Sequence, residues 1–156
     1  MKYAQGKIGR IFMLRMEDGD LLPDSIESFA EKQGISVGQV LFMGGIGSGD
    51  IVVGPRDSSA EKPQPMVLPV DGAHEILATG VLAPDEETNQ PILHIHGALG
   101  RGGRTITGCL REGVYTWLIG EVVVYEILGI EAKRVIDSES GFKLLQVEKG
   151  VVAHEK

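Results

Sequence analysis

Only one cysteine and no long hydrophobic run occur among the 156 residues of this chain. One cysteine excludes a disulfide within the chain, and a chain of this length can bury a sufficient core without one. No stretch approaches the ~18 consecutive apolar residues of a membrane-spanning helix. The first residues, Met-Lys-Tyr-Ala-Gln-Gly-Lys, contain no apolar signal segment, so we expect a cytoplasmic protein without a membrane partner.

Basic residues are also few relative to acidic ones. Fifteen lysines and arginines stand against twenty-two aspartates and glutamates, which gives a net charge of -7. This balance opposes nonspecific attraction to nucleic-acid phosphate. One local basic cluster, Arg101, Arg104 and Arg111, departs from the average, and ordinary charges on a solvated turn are the simpler interpretation of it. The composition therefore disfavours direct DNA binding by this chain.

The hydrophobic pattern consists mostly of short segments rich in Val and Ile, which favour strands. One helix is predicted before Gly34, because Pro23 suits a first helical turn. Its apolar stripe consists of Leu22, Ile26, Phe29 and Ala30. Strands are predicted at 7–16, 36–43, 50–53, 66–70, 74–82, 105–110, 114–118 and 121–128, in the His-Ile-His segment at 94–96, and once in the tail between Val135 and Val147. This pattern indicates an α+β fold with a mainly antiparallel sheet and one principal helix, and the tail at 150–156 is expected to fray.

The glycine-rich run at 44–49 invites comparison with a nucleotide-binding loop. Such a loop needs a helix directly behind its glycines, so that the N-terminal amides of the helix meet the phosphate. Here the chain continues as Asp-Ile-Val-Val at 50–53, which is a strand pattern. We therefore predict a tight or bulged connection between two strands.

Two histidines one residue apart, His94 and His96, are the most informative feature of the chain. Alternate residues of a strand project from the same face, so the two imidazoles can chelate one ion. The run Leu-Gly-Arg-Gly-Gly-Arg at 99–104 predicts a hairpin turn, after which the segment at 105–110 returns beside the first strand. A hairpin centred near 102–103 places Cys109 opposite His94 or His96, on the same side of the sheet.

Two imidazoles and one thiol at this spacing suit zinc, with a fourth position open to water or a small ligand. A closed structural zinc site usually has four protein ligands. Other interpretations stay open at this point. A His-X-His pair also occurs as two hydrogen-bonded histidines, a lone cysteine is a common core residue, and one bulge in the hairpin would turn Cys109 to the opposite face.

Catalysis at such a site would need further groups. By sequence layout, His74 and Glu75 are the nearest candidates for a general base. A surface turn after Asp71 explains them more simply. Trp117 and Tyr115 either line an interface or fill the core, and the core is the simpler assumption for aromatics on apolar strands. The sequence has no nucleophile elbow and no cofactor fingerprint, so whether the protein is an enzyme is left undecided.

Several segments, taken in order, form a recognisable pattern. They are Phe-Met-Leu-Arg-Met-Glu-Asp-Gly-Asp at 12–20, Gly-Gly-Ile-Gly-Ser at 44–48, His-Ile-His at 94–96, Thr-Gly-Cys-Leu at 107–110, Gly-Glu-Val-Val-Val at 120–124 and Asp-Ser-Glu-Ser-Gly-Phe-Lys-Leu-Leu at 137–145. Together they resemble the PPC domain, the plants and prokaryotes conserved family, also called domain of unknown function 296. The resemblance covers residues 7–148, so we expect a single domain over 1–156 with its core at about 7–148.

The resemblance implies a compact α+β domain that assembles as a homotrimer and stands alone as a small protein in bacteria and archaea. Some of those members hold a metal at the histidines of the His-X-His strand and at a further histidine in a Gly-His-Leu motif. Carried over, the first two positions are His94 and His96, and the third is Cys109. This substitution still permits zinc, favours softer ions and makes the site sensitive to oxidation.

In plants, similar domains lie beside AT-hook motifs, which contact the DNA minor groove while the domain serves assembly. This chain lacks the Arg-Gly-Arg-Pro core of a hook. The sequence therefore predicts a trimeric protein that binds zinc, or another divalent transition metal, through His94, His96 and Cys109, with an open position for a small-molecule ligand or water. The alternatives are a DNA-associated regulatory or assembly protein without a hook, and a purely structural trimer with incidental histidines.

Overall fold

A computed structural model describes residues 1–111 and 113–147, and the tail predicted to fray lies outside these residues. Within them the strands are β1 (Lys7–Glu17), β2 (Leu21–Leu22), β3 (Gly38–Ile46), β4 (Gly49–Pro55), β5 (Pro65–Val70), β6 (His74–Pro84), β7 (Pro91–Arg101), β8 (Arg104–Leu110), β9 (Val114–Leu128), β10 (Ala132–Ile136) and β11 (Lys143–Val147). The helix is α1 (Asp24–Gln33).

Nine strands form one sheet, and β10 and β11 form a separate hairpin. The order in the large sheet is β1-β9-β3-β6-β7-β8-β4-β5, with the short β2 also paired to β9. All pairings between named strands are antiparallel. The predicted antiparallel sheet with one principal helix is confirmed.

The helix forms before Gly34 as the sequence predicts, but Leu22, predicted as part of its apolar stripe, precedes the helix and lies in β2. Asp24 and Glu27 lie in its first turn, where negative charge favours the helix dipole, and Ile26 and Ala30 are its buried residues. The helix ends at Gly34, whose φ of 65° is a left-handed conformation that glycine adopts without a steric cost. Within the described part of the chain, no helix is long and apolar enough to cross a membrane.

Strand β7 shows how the large sheet divides its two faces. Leu93, Ile95 and Leu99 are buried in the core, and His94 and His96 alternate with them on the exposed face. Burying a Leu or Ile side chain stabilises a fold by about 1.5–3 kcal/mol. The apolar residues of β7 therefore fix which face of the strand the histidines occupy.

Two strand predictions need correction. The segments predicted as separate strands at 114–118 and 121–128 are the single strand β9, which passes through an irregularity at Leu118, where φ is 66°. The Leu118 N–H donates to Asp18 Oδ1 at 2.7 Å, so a side chain satisfies the amide where the ladder is interrupted. In the tail, the one predicted strand is the hairpin of β10 and β11. The assumption that Trp117 fills the core is also wrong, because this residue is 43% exposed.

The glycine-rich run makes the tight connection that the sequence predicts. Strand β3 ends at Ile46 and β4 begins at Gly49, with no helix behind the glycines. Gly47 lies against the ring of Tyr115, where an added Cβ would be 2.2 Å from Cε2. The glycines therefore serve close packing between strands, and the nucleotide-loop interpretation stays rejected.

Candidate metal centre

The exposed face of the sheet brings together the three residues that the sequence singles out. His94 and His96 project from β7, and Cys109 on β8 is the direct partner of His96. The predicted hairpin register is therefore confirmed, with no bulge between β7 and β8 to turn the cysteine away. On the other side of β7, the partners of the two histidines on β6 are Val81 and Thr79.

The side-chain geometry suits a metal ion. The Nε2 atoms of His94 and His96 lie 3.0 Å apart, and the two rings are nearly perpendicular, at 84°. The ligand atoms of these histidines and Cys109 all lie within 4.8 Å of one another. Tetrahedral zinc bonds place two nitrogens about 3.3 Å apart and a nitrogen and a sulfur about 3.6 Å apart. The two nitrogens are thus close to the separation that zinc requires, and the sulfur would have to approach them by up to about 1.2 Å.

The three groups differ in burial. Both histidines are exposed, whereas Cys109 is buried, with 4% of its surface accessible. The Cys109 thiol makes a long contact of 3.8 Å with the Leu110 carbonyl oxygen. The thiol thus forms the inner wall of the cluster and the imidazoles its outer wall, so that solvent and small molecules reach the cluster from the histidine side.

The electrostatic environment favours the neutral form of His94. Partial burial lowers the pKa of His94, and the positive charges of Arg134, His96 and Arg111 lower it further. A neutral imidazole is the form that binds metal. Burial raises the pKa of Cys109, and the same two arginines oppose that rise. A metal that binds the thiolate must therefore displace a proton.

Sequence reasoning missed Arg134, which lies beside this cluster. Its side chain is buried, and its Nη2 donates to the Val81 carbonyl oxygen at 3.0 Å. Val81 is the strand partner of His94. Strand β10 carries Arg134 to this position from 53 residues away along the chain. No local pattern could indicate such a placement.

The candidates for a general base lie elsewhere. Glu75 pairs with Gly100, whereas His96 pairs with Thr79, so Glu75 lies four positions along the sheet, about 13 Å away at the usual rise per residue. His74 Nδ1 lies 2.9 Å from the Gly72 carbonyl oxygen, within the turn. The structure thus keeps both residues away from the cluster, as the surface-turn interpretation expects.

The three arginines of the basic cluster do not form one patch. Arg101 and Arg104 pair at the tip of the β7–β8 hairpin, and Arg101 donates to the Asp71 carbonyl oxygen. Arg111 follows the other end of β8, seven residues from Arg104 and so about 23 Å away along an extended chain. Its positive charge acts on His94 and Cys109 instead.

Comparison with known proteins supports the resemblance found in the sequence. Residues 3–128 match the family model described as the Plants and Prokaryotes Conserved (PCC) domain. No curated protein matches the chain significantly in sequence.

Solved structures share the fold over nearly the whole chain. A metal-containing protein from Archaeoglobus fulgidus is 26% identical, with a TM-score of 0.81 over 94% of this chain and 99% of that chain. A plant- and prokaryote-conserved (PPC) protein from Pyrococcus horikoshii is 22% identical, with a TM-score of 0.80 over 94% and 97%. A protein from Bacteroides thetaiotaomicron, provisionally described as DNA-binding, is 19% identical, with a TM-score of 0.72 over 90% and 96%.

Proposed function

The chain belongs to the Plants and Prokaryotes Conserved (PCC) domain family, and from that premise we propose that it is a single-domain, metal-binding member of the family. The ion is a divalent transition metal, zinc foremost, held by His94, His96 and Cys109. The observation that carries the proposal is the convergence of two imidazole nitrogens and one thiol within 4.8 Å on paired strands. The relative from Archaeoglobus fulgidus is a metal-containing protein of the same fold.

The position of the two histidines favours a metal over a simple hydrogen-bonded pair. Their Nε2 atoms lie 3.0 Å apart, and a hydrogen bond between them requires one nitrogen to carry the proton and donate, which leaves a single lone pair to accept. A cation uses both lone pairs and the thiolate of Cys109 as well. The lowered pKa of His94 favours its neutral ring, which is the form that binds metal.

Three protein ligands leave one coordination position for water or a small ligand, which a bound zinc ion would polarise. Within the described residues, no carboxylate joins the three ligands, and His74 and Glu75 lie at a distance. We therefore assign no general base, and we propose that the open coordination position binds a ligand.

Metal content per subunit tests this proposal. The protein is expressed without a polyhistidine tag and analysed by inductively coupled plasma mass spectrometry as wild type, His96→Ala and His74→Ala. We expect about one ion per subunit in the wild type and in His74→Ala, and none in His96→Ala, because His96 is a ligand of the proposed site and His74 is not. Wild-type protein that stays free of metal after reconstitution with zinc under reducing conditions would overturn the proposal, as would equal metal content in all three proteins.

We further propose that the protein assembles as a homotrimer. Apolar side chains are exposed on the face of the sheet that carries the histidines, with exposures of 82% for Met13, 52% for Met43 and 69% for Leu77. The pairing of β3 with β6 sets Met43 opposite Leu77. Such a face on the central strands favours burial against other subunits, and the number three follows from the family resemblance.

A DNA-associated assembly role is the second candidate, because the relative from Bacteroides thetaiotaomicron is provisionally described as DNA-binding. The net charge of -7 and the separation of Arg111 from Arg101 and Arg104 oppose direct binding. Titration of a labelled DNA duplex at low and high salt tests whether the protein binds DNA directly. Binding that weakens steeply with salt would support this role, and no binding at low salt would exclude direct contact.

A further inference from the structure

Arg134 gives the proposed metal centre a second binding element. We propose that the site receives a small oxyanion, a carboxylate or phosphate group, with one oxygen at the open metal position and another on the guanidinium of Arg134. This inference rests on the proposed metal-binding function and names the ligand class of that site. It depends on the burial, the unused hydrogen-bonding capacity and the position of Arg134.

The guanidinium of Arg134 is buried without a carboxylate partner among the described residues. The side chain is 5% exposed, and the ion pairs found in residues 1–111 and 113–147 do not include it. Nη2 donates to Val81, but Nε, also buried, has no partner in the same residues. A buried charge with a free N–H donor is costly unless an acceptor completes it. A carboxylate or phosphate oxygen is a strong acceptor for such a charged N–H donor, and it leaves another oxygen of the same group for the metal.

The contact with Val81 places the guanidinium of Arg134 beside the strand that carries the histidines. Its hydrogen-bond acceptor, Val81, is the cross-strand partner of His94. The positive charge of Arg134 acts on both His94 and Cys109. The proposal accordingly places a molecule at the open metal position within reach of the guanidinium.

The backbone holds Arg134 firmly in this place. The Glu86 N–H donates to the Arg134 carbonyl oxygen at 3.0 Å, within an isolated parallel bridge between Asp85 and Arg134. Asp85, which is buried, also forms an ion pair with Lys143 of β11. These contacts tie the β10–β11 hairpin to the end of β6, so the guanidinium is positioned before a ligand arrives.

The local charge also favours an anion. The chain as a whole carries -7, yet Arg134 and Arg111 both act on the cluster, and the metal ion adds two positive charges. The thiolate of Cys109 offsets only one of these. A small anion is thus attracted to the cluster even though the rest of the protein repels it.

Anion titration of the metal-loaded protein tests the inference. Cobalt replaces zinc, and inorganic phosphate or acetate is added while the visible cobalt spectrum and the heat of binding are recorded. The proteins compared are the wild type, Arg134→Gln, Arg134→Lys and, as a matched control on the same strand, Lys133→Gln. Metal content is measured for every sample, and folding is checked by circular dichroism.

We expect saturable binding of at least one anion to the wild type, with a change in the cobalt spectrum. Affinity should fall at least tenfold in Arg134→Gln and Arg134→Lys, because lysine retains the charge but lacks the Nε–H donor. It should stay within twofold in Lys133→Gln. Tighter phosphate binding would identify a phosphate-bearing ligand, and tighter acetate binding a carboxylate.

Two results would overturn the inference while leaving metal binding intact. One is a fully cobalt-loaded wild type that binds neither anion, a result that does not depend on whether any variant folds. The other is a folded, loaded Arg134→Lys that binds the anion as tightly as the wild type. Wild-type protein that takes up no cobalt would instead refute the metal-binding function itself.

Discussion

Gly108 lies where the fold and the candidate metal centre meet, and Gly108→Ala perturbs both. It precedes Cys109 on β8, where that strand pairs with β4. A Cβ at this position would lie 2.6 Å from the Val52 carbonyl oxygen and 3.1 Å from the Val52 carbonyl carbon. Since the obstacle is backbone, no rotation of a side chain can relieve it, and β4 or β8 must move.

Overpacking of this kind typically costs 1–3 kcal/mol, and we expect a loss of about 2 kcal/mol in the free energy of unfolding. Val52 is also the cross-strand partner of Cys109. Movement of either strand therefore displaces the thiol relative to His96. Because displacing a supporting contact commonly lowers metal affinity by about 10- to 100-fold, we expect a loss of at least about tenfold.

Urea denaturation of the metal-free protein and competitive zinc titration measure the two effects. Gly100→Ala is the matched control, because the nearest atoms to its added Cβ are Arg104 O at 3.9 Å and Thr105 Oγ1 at 4.0 Å, which are ordinary contacts. We expect the control to stay within about 0.5 kcal/mol of the wild type. Equal stability and equal zinc affinity in both variants would refute the argued coupling between the β4–β8 contact and the thiol.

Two further predictions concern acid stability and assembly. Arg10 holds the pKa of buried Glu126 at about 2, below the ordinary 4.5. The ion pair therefore stabilises the folded state above about pH 4.5, and this contribution is lost as the pH falls through 2. By urea denaturation, we expect Glu126→Gln to lower the free energy of unfolding by about 1–3 kcal/mol at pH 7 and by less at pH 3. An equal loss at the two pH values would contradict this. Leu77→Lys places a charge on the exposed apolar face, so sedimentation velocity should show smaller particles than for the wild type or for Leu144→Lys on β11. A monomeric wild type would contradict the proposed trimer.

Local patterns in the sequence predicted much of the fold because they act over a few residues. The helix stripe and Gly34 defined α1, since amphipathic spacing and a left-handed cap need only neighbouring residues. The strand β9 was predicted in two pieces, with a break at 119–120, because Gly120 interrupts the strand pattern. Pairing with β1 and β3 keeps it continuous, and no local signal records those partners.

The candidate metal ligands could also be found from the sequence. His94, His96 and Cys109 lie on two arms of one hairpin, whose glycine turn fixes the register. Alternation of apolar residues then fixes the face. The general-base candidates could not be placed in the same way. Their position in the sequence put His74 and Glu75 at the start of the strand before the histidines, but it did not show that this end lies far from the cluster.

By itself, then, the sequence determined the antiparallel sheet, the helix and the hairpin that brings two imidazoles and a thiol together, because periodicity and turn chemistry are local. Only the tertiary structure decided that Arg134, 53 residues from Val81, lies buried beside this cluster. That placement depends on how the β10–β11 hairpin packs against the end of β6. Packing over such distances is set by the whole core, so the arginine looks ordinary in the sequence and distinctive in the fold.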